Sequence, residues 1–168
     1  MSAWSHVRAV LLLPVVVTIL VPGTILLLGD GPAVAWGTGG AFGVFAIALG
    51  LCLLAIGLLL VLWTIRLFVL IGRGTLAPWS PTTELVVIGP YRHVRNPMIS
   101  GVFFVLAGEA VLVGSIGIVL WLVAVVVVNA VYIPFVEEPG LRRRFGERYD
   151  AYRASVPRWL PRVRAWSP

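Results

Sequence analysis

The chain has 168 residues, of which 60% are hydrophobic and only 12% charged. A soluble domain of this length carries about twice that charged fraction, so composition excludes an ordinary soluble domain and points to one all-α integral membrane domain. The net charge of +6 rests on arginine alone. Those arginines flank apolar runs, which favours membrane lipids or an anionic ligand as partners over nucleic acid.

The first apolar run, 9–28, has the length of a transmembrane helix, roughly 20 residues. Pro14, Pro22 and Gly23 interrupt it, as membrane helices tolerate. Arg8 and the small residues Ala33-Val34-Ala35 resemble the flanks of a signal peptide. The run is longer than the typical apolar region of about 7–15 residues in such peptides, so it reads as a retained helix. Residues 30–40 form a glycine-rich linker. Gly37-Thr38-Gly39-Gly40-Ala41-Phe42-Gly43 looks superficially like a nucleotide-binding loop, but no strand precedes it.

The second span, 41–65, is uncharged until Arg66. Gly43, Gly50 and Gly57 recur every seven residues, so they share one helical face where another helix could approach closely. Residues 72–97 form a polar connection broken by Gly72, Gly74, Pro78, Pro81 and Pro90. Within it, 84–88 fits either a short strand or an interfacial segment. The third run, 98–113, is marginal for a full crossing and carries Glu109. A tight turn at 114–117 leads to the fourth run, 118–136, which contains Asn129, and the two runs read as a helical hairpin. Pro134 should kink its exit.

From Pro139 the pattern is that of an amphipathic helix: Leu141, Phe145, Tyr149 and Tyr152 fall on one face, with Gly146 a weak point. The tail, 156–168, is rich in Pro, Trp and Arg, the composition of an interfacial anchor. The expected architecture is therefore four transmembrane helices followed by a cytoplasmic amphipathic helix. One arginine precedes span one, four lie between spans two and three, and eight follow span four, while the loops 29–40 and 114–117 have none. The positive-inside rule places both termini in the cytoplasm of a multi-pass protein.

Two polar clusters then share that face. In Tyr91-Arg92-His93-Val94-Arg95-Asn96-Pro97, Pro97 suits the first turn of the third helix. Helix N-termini bind carboxylates and phosphates, and Arg92 and Arg95 add guanidinium forks. His93 can hydrogen-bond a ligand or move a proton. Glu137-Glu138, at the exit of the last span, can accept from ribose hydroxyls or an α-amino group, or pair with Arg92 and Arg95. Glu109 and Asn129 are intramembrane polar groups, expensive without partners. They fit either a pair across the hairpin or, for Glu109, the floor of a substrate cavity. With two histidines and one cysteine, no metal-ligand spacing occurs.

Gly89-Pro90-Tyr91-Arg92-His93-Val94-Arg95-Asn96-Pro97, followed by Gly101, Gly108, Glu137-Glu138, Leu141, Phe145-Gly146, Tyr149, Tyr152 and Val156-Pro157-Arg158, resembles the isoprenylcysteine carboxyl methyltransferase family and its relatives, the membrane phospholipid methyltransferases. The resemblance covers roughly 72–161, while the first two spans match only in being hydrophobic. It implies two N-terminal helices (1–71), a methyltransferase-like catalytic region (72–168), and S-adenosyl-L-methionine as cofactor at the cytoplasmic face. Tyr91, His93, Arg95, Asn96, Pro97, Gly101, Glu137 and Glu138 would surround that cofactor, with Arg95 and Glu138 catalytic. Arg158 and Glu109 would contact a lipophilic small-molecule or lipid acceptor, a carboxylate or an amine. Asn96 stands where the family has histidine, and Ile99 where it commonly has tyrosine. Asparagine hydrogen-bonds but does not titrate, so no imidazole acts at that position. Two other readings fit parts of the pattern: an NADPH-dependent sterol-reductase-like enzyme, and a non-catalytic membrane protein that binds lipid or a partner.

Overall fold

The computed structural model describes residues 13–29, 40–70 and 84–167, the side chain of Val69 excepted. The glycine-rich linker up to residue 39 and the first part of the polar connection lie outside the described residues. Among those described, the secondary structure is entirely helical.

Helix α1 (Leu13–Leu28) contains a π-turn at Val16–Leu20, just after Pro14. Helix α2 (Ala41–Leu70) runs 30 residues, about 45 Å at the helical rise. It continues past Arg66 because no proline or polar break interrupts it. Helix α3 (Pro97–Val113) starts with proline at its first turn and stops at Gly114, whose φ of 67° is the left-handed cap that glycine adopts without strain. Helix α4 (Ile116–Tyr132) follows at once, capped by the Ser115 hydroxyl, which accepts from the Ile118 amide. The expected hairpin is therefore formed.

Past α4 the structure departs from expectation. The irregularity expected at Pro134 takes the form of a π-segment (Ile133–Glu137) that leads straight into α5 (Glu138–Phe145). A proline lacks the N–H that an α-helix needs, and one wide turn absorbs the defect. Glu138 therefore occupies no free helix N-terminus. The single amphipathic helix expected from Pro139 is instead two, α5 and α6 (Glu147–Ser155), broken at Gly146 with φ 55°. The shared face survives the break, since Leu141, Phe145, Tyr149 and Tyr152 pack in one cluster with Val156, Trp166, Leu85 and Val87.

Among the described residues, two helices are long and apolar enough to cross a bilayer, Ala41–Phe68 and Ile116–Phe145; Leu13–Leu28 and Pro97–Val113 are shorter. Leu58, Leu59, Leu62, Val127, Val128 and Val131 stay exposed along the outer faces. A helix hydrophobic on every side needs either a protein interior or lipid around it.

The core lies between α2 and α3. A Cβ on Gly57 would stand 2.6 Å from the Val105 amide nitrogen and 2.7 Å from the Gly101 carbonyl oxygen; one on Gly108 would stand 2.7 Å from the Leu54 nitrogen. Gly50 faces Gly108 and Leu112, and Gly101 faces Gly57 and Val61. Rising numbers on α2 meet falling numbers on α3, so the helices are antiparallel with backbones nearly touching. The sevenfold glycine spacing thus builds a close helix seam. Leu106, Val102, Val61 and Val125 fill the space beside it. On the other side, α1 docks on α4 through the Trp121 indole, which donates to the Val17 carbonyl at 2.9 Å.

Candidate functional site

The seam fixes where α3 begins, and α3 begins with the motif. Glu84–Ile88 forms no ladder. Its extended backbone sends Val86 toward Phe68 and Tyr91, while Leu85 and Val87 join the α5–α6 cluster. Gly89, at φ 56°, opens a short 3₁₀ turn (Gly89–Arg92). That turn buries Tyr91 edge-on against Phe68, with ring centroids 5.7 Å apart. The Tyr91 carbonyl accepts from the buried Tyr152 hydroxyl at 2.7 Å, tying the motif to α6. Burial raises the pKa of both phenols above the usual value, so both stay protonated and Tyr152 keeps its donor.

The centre of the site is Glu138, whose side chain is 3% exposed. Its Oε1 accepts from Arg95 Nη1 at 2.9 Å and from Arg158 Nε at 2.8 Å. Its Oε2 faces Arg153 Nε at 3.4 Å but makes no hydrogen bond. The Glu138 hydrogen bond raises the Arg158 guanidinium above its ordinary value. Tyr149 also borders the cluster, its phenol raised first by burial and then by Glu138, with the Arg95 guanidinium opposing. Three separate stretches of chain thus converge on one buried carboxylate.

Among the described residues, the buried atoms Arg95 Nε, Asn96 Nδ2 and Glu138 Oε2 have no hydrogen-bond partner. Asn96 is the N-cap residue of α3 but its side chain makes no capping bond. Only its carbonyl is used, accepting from the Ser100 amide and hydroxyl at 3.0 Å each. A buried polar atom without a partner costs about 1–3 kcal/mol. Open buried donors and acceptors of this kind are groups that a polar ligand would satisfy. They also suit S-adenosyl-L-methionine, which offers a carboxylate to the donors and an ammonium or ribose hydroxyls to the acceptor.

The tail does not extend away as an anchor. It folds back along the motif: the Arg95 amide donates to the Pro157 carbonyl, the Arg162 amide to the His93 carbonyl, and the Trp166 amide to the Arg92 carbonyl, at 2.9–3.0 Å. Arg92 spends its guanidinium on this strap, donating to the Trp166 carbonyl and the Ser167 hydroxyl. His93 Nδ1 lies 2.8 Å from the Arg162 carbonyl oxygen. A carbonyl only accepts, so Nδ1 carries the proton and Nε2 is left as an acceptor. His93 and Arg92 border a surface recess of about 380 Å³, with Trp63, Gly89, Pro90 and Ala165.

The structure therefore joins Arg95, Glu138 and Arg158, with Asn96 next to Arg95 in the chain at the N-cap of α3. It also sets Arg158, expected at the acceptor, directly on Glu138. Glu137 is half-buried on the π-segment beside them. Pro97 is buried at the helix start. Gly101, expected at the cofactor, stands instead in the seam, with Val61 Cγ2 only 2.9 Å from where its Cβ would be. Glu109 is twelve residues beyond Pro97 on α3, about 18 Å along the axis, and its Oε2 has no partner. It does not pair with Asn129, whose amide donates to the Val125 carbonyl of its own helix. Arg153 was not anticipated. Its position four residues after Tyr149, on the same side of α6, was the available signal.

Long apolar helices with exposed hydrophobic faces, carrying a buried arginine–glutamate cluster, are the marks of a membrane-associated protein. The phospholipid methyltransferase family profile matches residues 45–148, from within α2 to the start of α6. The chain belongs to that family of membrane methyltransferases. The matched region includes most of α2, a span in which the resemblance rested on hydrophobicity alone. Neither the curated proteins nor the solved structures contain a match.

Proposed function

We propose that the chain is an integral membrane methyltransferase that takes S-adenosyl-L-methionine from the cytoplasm and methylates a lipophilic carboxylate or amine. The supporting observation is the Arg95–Asn96–Glu138 cluster, with its three partnerless buried atoms, in a chain of a methyltransferase family. In this reading α1 to α4 all cross or enter the bilayer, both termini face the cytoplasm, and α5 and α6 close the cytoplasmic face. That orientation rests on the arginine distribution.

When bound, the cofactor supplies an electrophilic methyl group on a sulfonium. Displacement at such a carbon is governed by alignment, so the protein's part is to hold and orient. Arg95 Nε and Asn96 Nδ2 would grip the carboxylate, and Glu138 Oε2 the ammonium or a hydroxyl. Arg158 and Arg95 Nη1 fix Glu138 so that this oxygen does not turn away. The covering tail and the buried tyrosines exclude water from the cluster. Apolar outer faces give a lipid acceptor lateral access.

Calorimetry on the detergent-purified protein tests this. S-adenosyl-L-methionine should bind, and Asn96→Ala should weaken binding about tenfold, the scale of one lost hydrogen bond. Because Asn96 Nδ2 has no partner among the described residues, the unfolding midpoint should not fall. A wild-type protein that shows no binding heat would sink the reading.

A further inference from the structure

Glu138 is held asymmetrically. Oε1 is shared by two arginines at hydrogen-bond distance, Arg95 (10% exposed) and Arg158 (27% exposed). Oε2 has only Arg153, at 3.4 Å and without hydrogen-bond geometry. Arg153 is 48% exposed, on α6 beyond the Gly146 break. A half-exposed guanidinium in a loose ion pair contributes little and is readily displaced into water. The tight arm fixes the carboxylate; the loose arm covers the face a ligand would use.

We propose that Arg153 is a displaceable counter-ion that occupies the open face of Glu138 and sets the preference of the site between methylated cofactor and demethylated product. The inference rests on the cofactor reading above. A ligand ammonium or hydroxyl reaching Oε2 must move the Arg153 guanidinium aside, and any further positive charge on the ligand is repelled by it. S-adenosyl-L-methionine carries a sulfonium charge that S-adenosyl-L-homocysteine lacks. Arg153 therefore penalises the cofactor more than the product, and removing its charge shifts the balance toward the cofactor.

Both nucleosides titrated calorimetrically into detergent-purified wild type, Arg153→Gln and Arg153→Lys test this. Arg153→Gln should tighten S-adenosyl-L-methionine by up to roughly fivefold, the upper range for a half-exposed pair, and tighten S-adenosyl-L-homocysteine less. Arg153→Lys keeps the charge and should hold the ratio of the two dissociation constants near the wild-type value. A purely structural role would move both constants together. An unchanged ratio in Arg153→Gln, or weaker cofactor binding there, overturns the proposal while leaving the cofactor reading intact. A wild-type protein that binds neither nucleoside overturns both.

Discussion

The α2–α3 seam and the Glu138 cluster are both buried and both depend on close approach, but they are built by opposite means. In the seam, side chains are removed: glycines every seven residues let two backbones meet. In the cluster, side chains are added: three long arginines reach one carboxylate from three different stretches of chain. The seam is repetitive, and none of the atoms that meet across it is an unmet polar atom. The cluster is singular and keeps three. A region built for stability closes its accounts; a region built for a ligand leaves some open.

The largest effect should come from breaking the cluster. Glu138→Ala strands Arg95 and Arg158 in a buried site without their counter-charge, a change that costs about 3–5 kcal/mol. Denaturant titration in mixed micelles should show this loss together with loss of cofactor binding. Glu138→Gln keeps the volume and two hydrogen-bonding atoms, so it should lose less stability and still lose binding.

Breaking the seam should come next. In Gly57→Ala the new methyl meets backbone on both contacts, at 2.6 and 2.7 Å, so no rotamer relieves it. The helices must separate, at about 1–3 kcal/mol, the usual range for overpacking. Gly101→Ala meets the Val61 side chain and the Gly57 carbonyl at 2.9 and 3.0 Å and should behave alike. For Gly101 the decisive reading is the ratio of effects: a seam residue loses stability first, a cofactor contact loses affinity first.

These two regions also explain what the sequence disclosed. Period is visible in a linear string, so Gly43, Gly50 and Gly57 announced a packing face, and Leu141, Phe145, Tyr149 and Tyr152 announced another. The Gly114 turn and the Pro97 start are local signals and were equally legible. The cluster was legible only in part. Arg95 and Glu138 stood out because arginine and glutamate are rare beside apolar runs. Arg158 was assigned to the acceptor, and Arg153 was missed, because pairing over 20 and 15 residues through a bent helix has no period. Pro134 announced an irregularity at the exit of α4, but not that a π-turn would take it up. The folded-back tail was hidden as well, because its main-chain bonds to Arg92, His93 and Arg95 leave no mark on composition.

Between the two regions lies the Tyr152–Tyr91 link. Tyr152→Phe removes the donor from a buried carbonyl at 2.7 Å. The expected loss is about 1–2 kcal/mol, within the range for an acceptor left unsatisfied. Cofactor affinity should fall by less than in Asn96→Ala, because the phenol positions the motif without facing the open atoms. Equal losses of affinity in the two variants would mean that the motif's backbone, not its side chains, carries the ligand.

The smallest effect sharpens the comparison from outside both regions. Arg142 and Asp150 form an ion pair at 3.1 Å, a distance close to that of Arg95 and Glu138. Their side chains are 64% and 41% exposed against 10% and 3%. Water already solvates the outer pair, so a double-mutant cycle on Arg142→Ala and Asp150→Ala should give a coupling of only about 0.2–1 kcal/mol. The same cycle on Arg95 and Glu138 should give several times more, because each single variant there leaves a charge without water or partner. Added salt should erase the outer coupling and leave the inner one nearly intact, since screening acts where ions reach. If the two couplings proved equal, burial would not be what distinguishes Glu138, and its open oxygen would be one more surface group without a ligand to wait for.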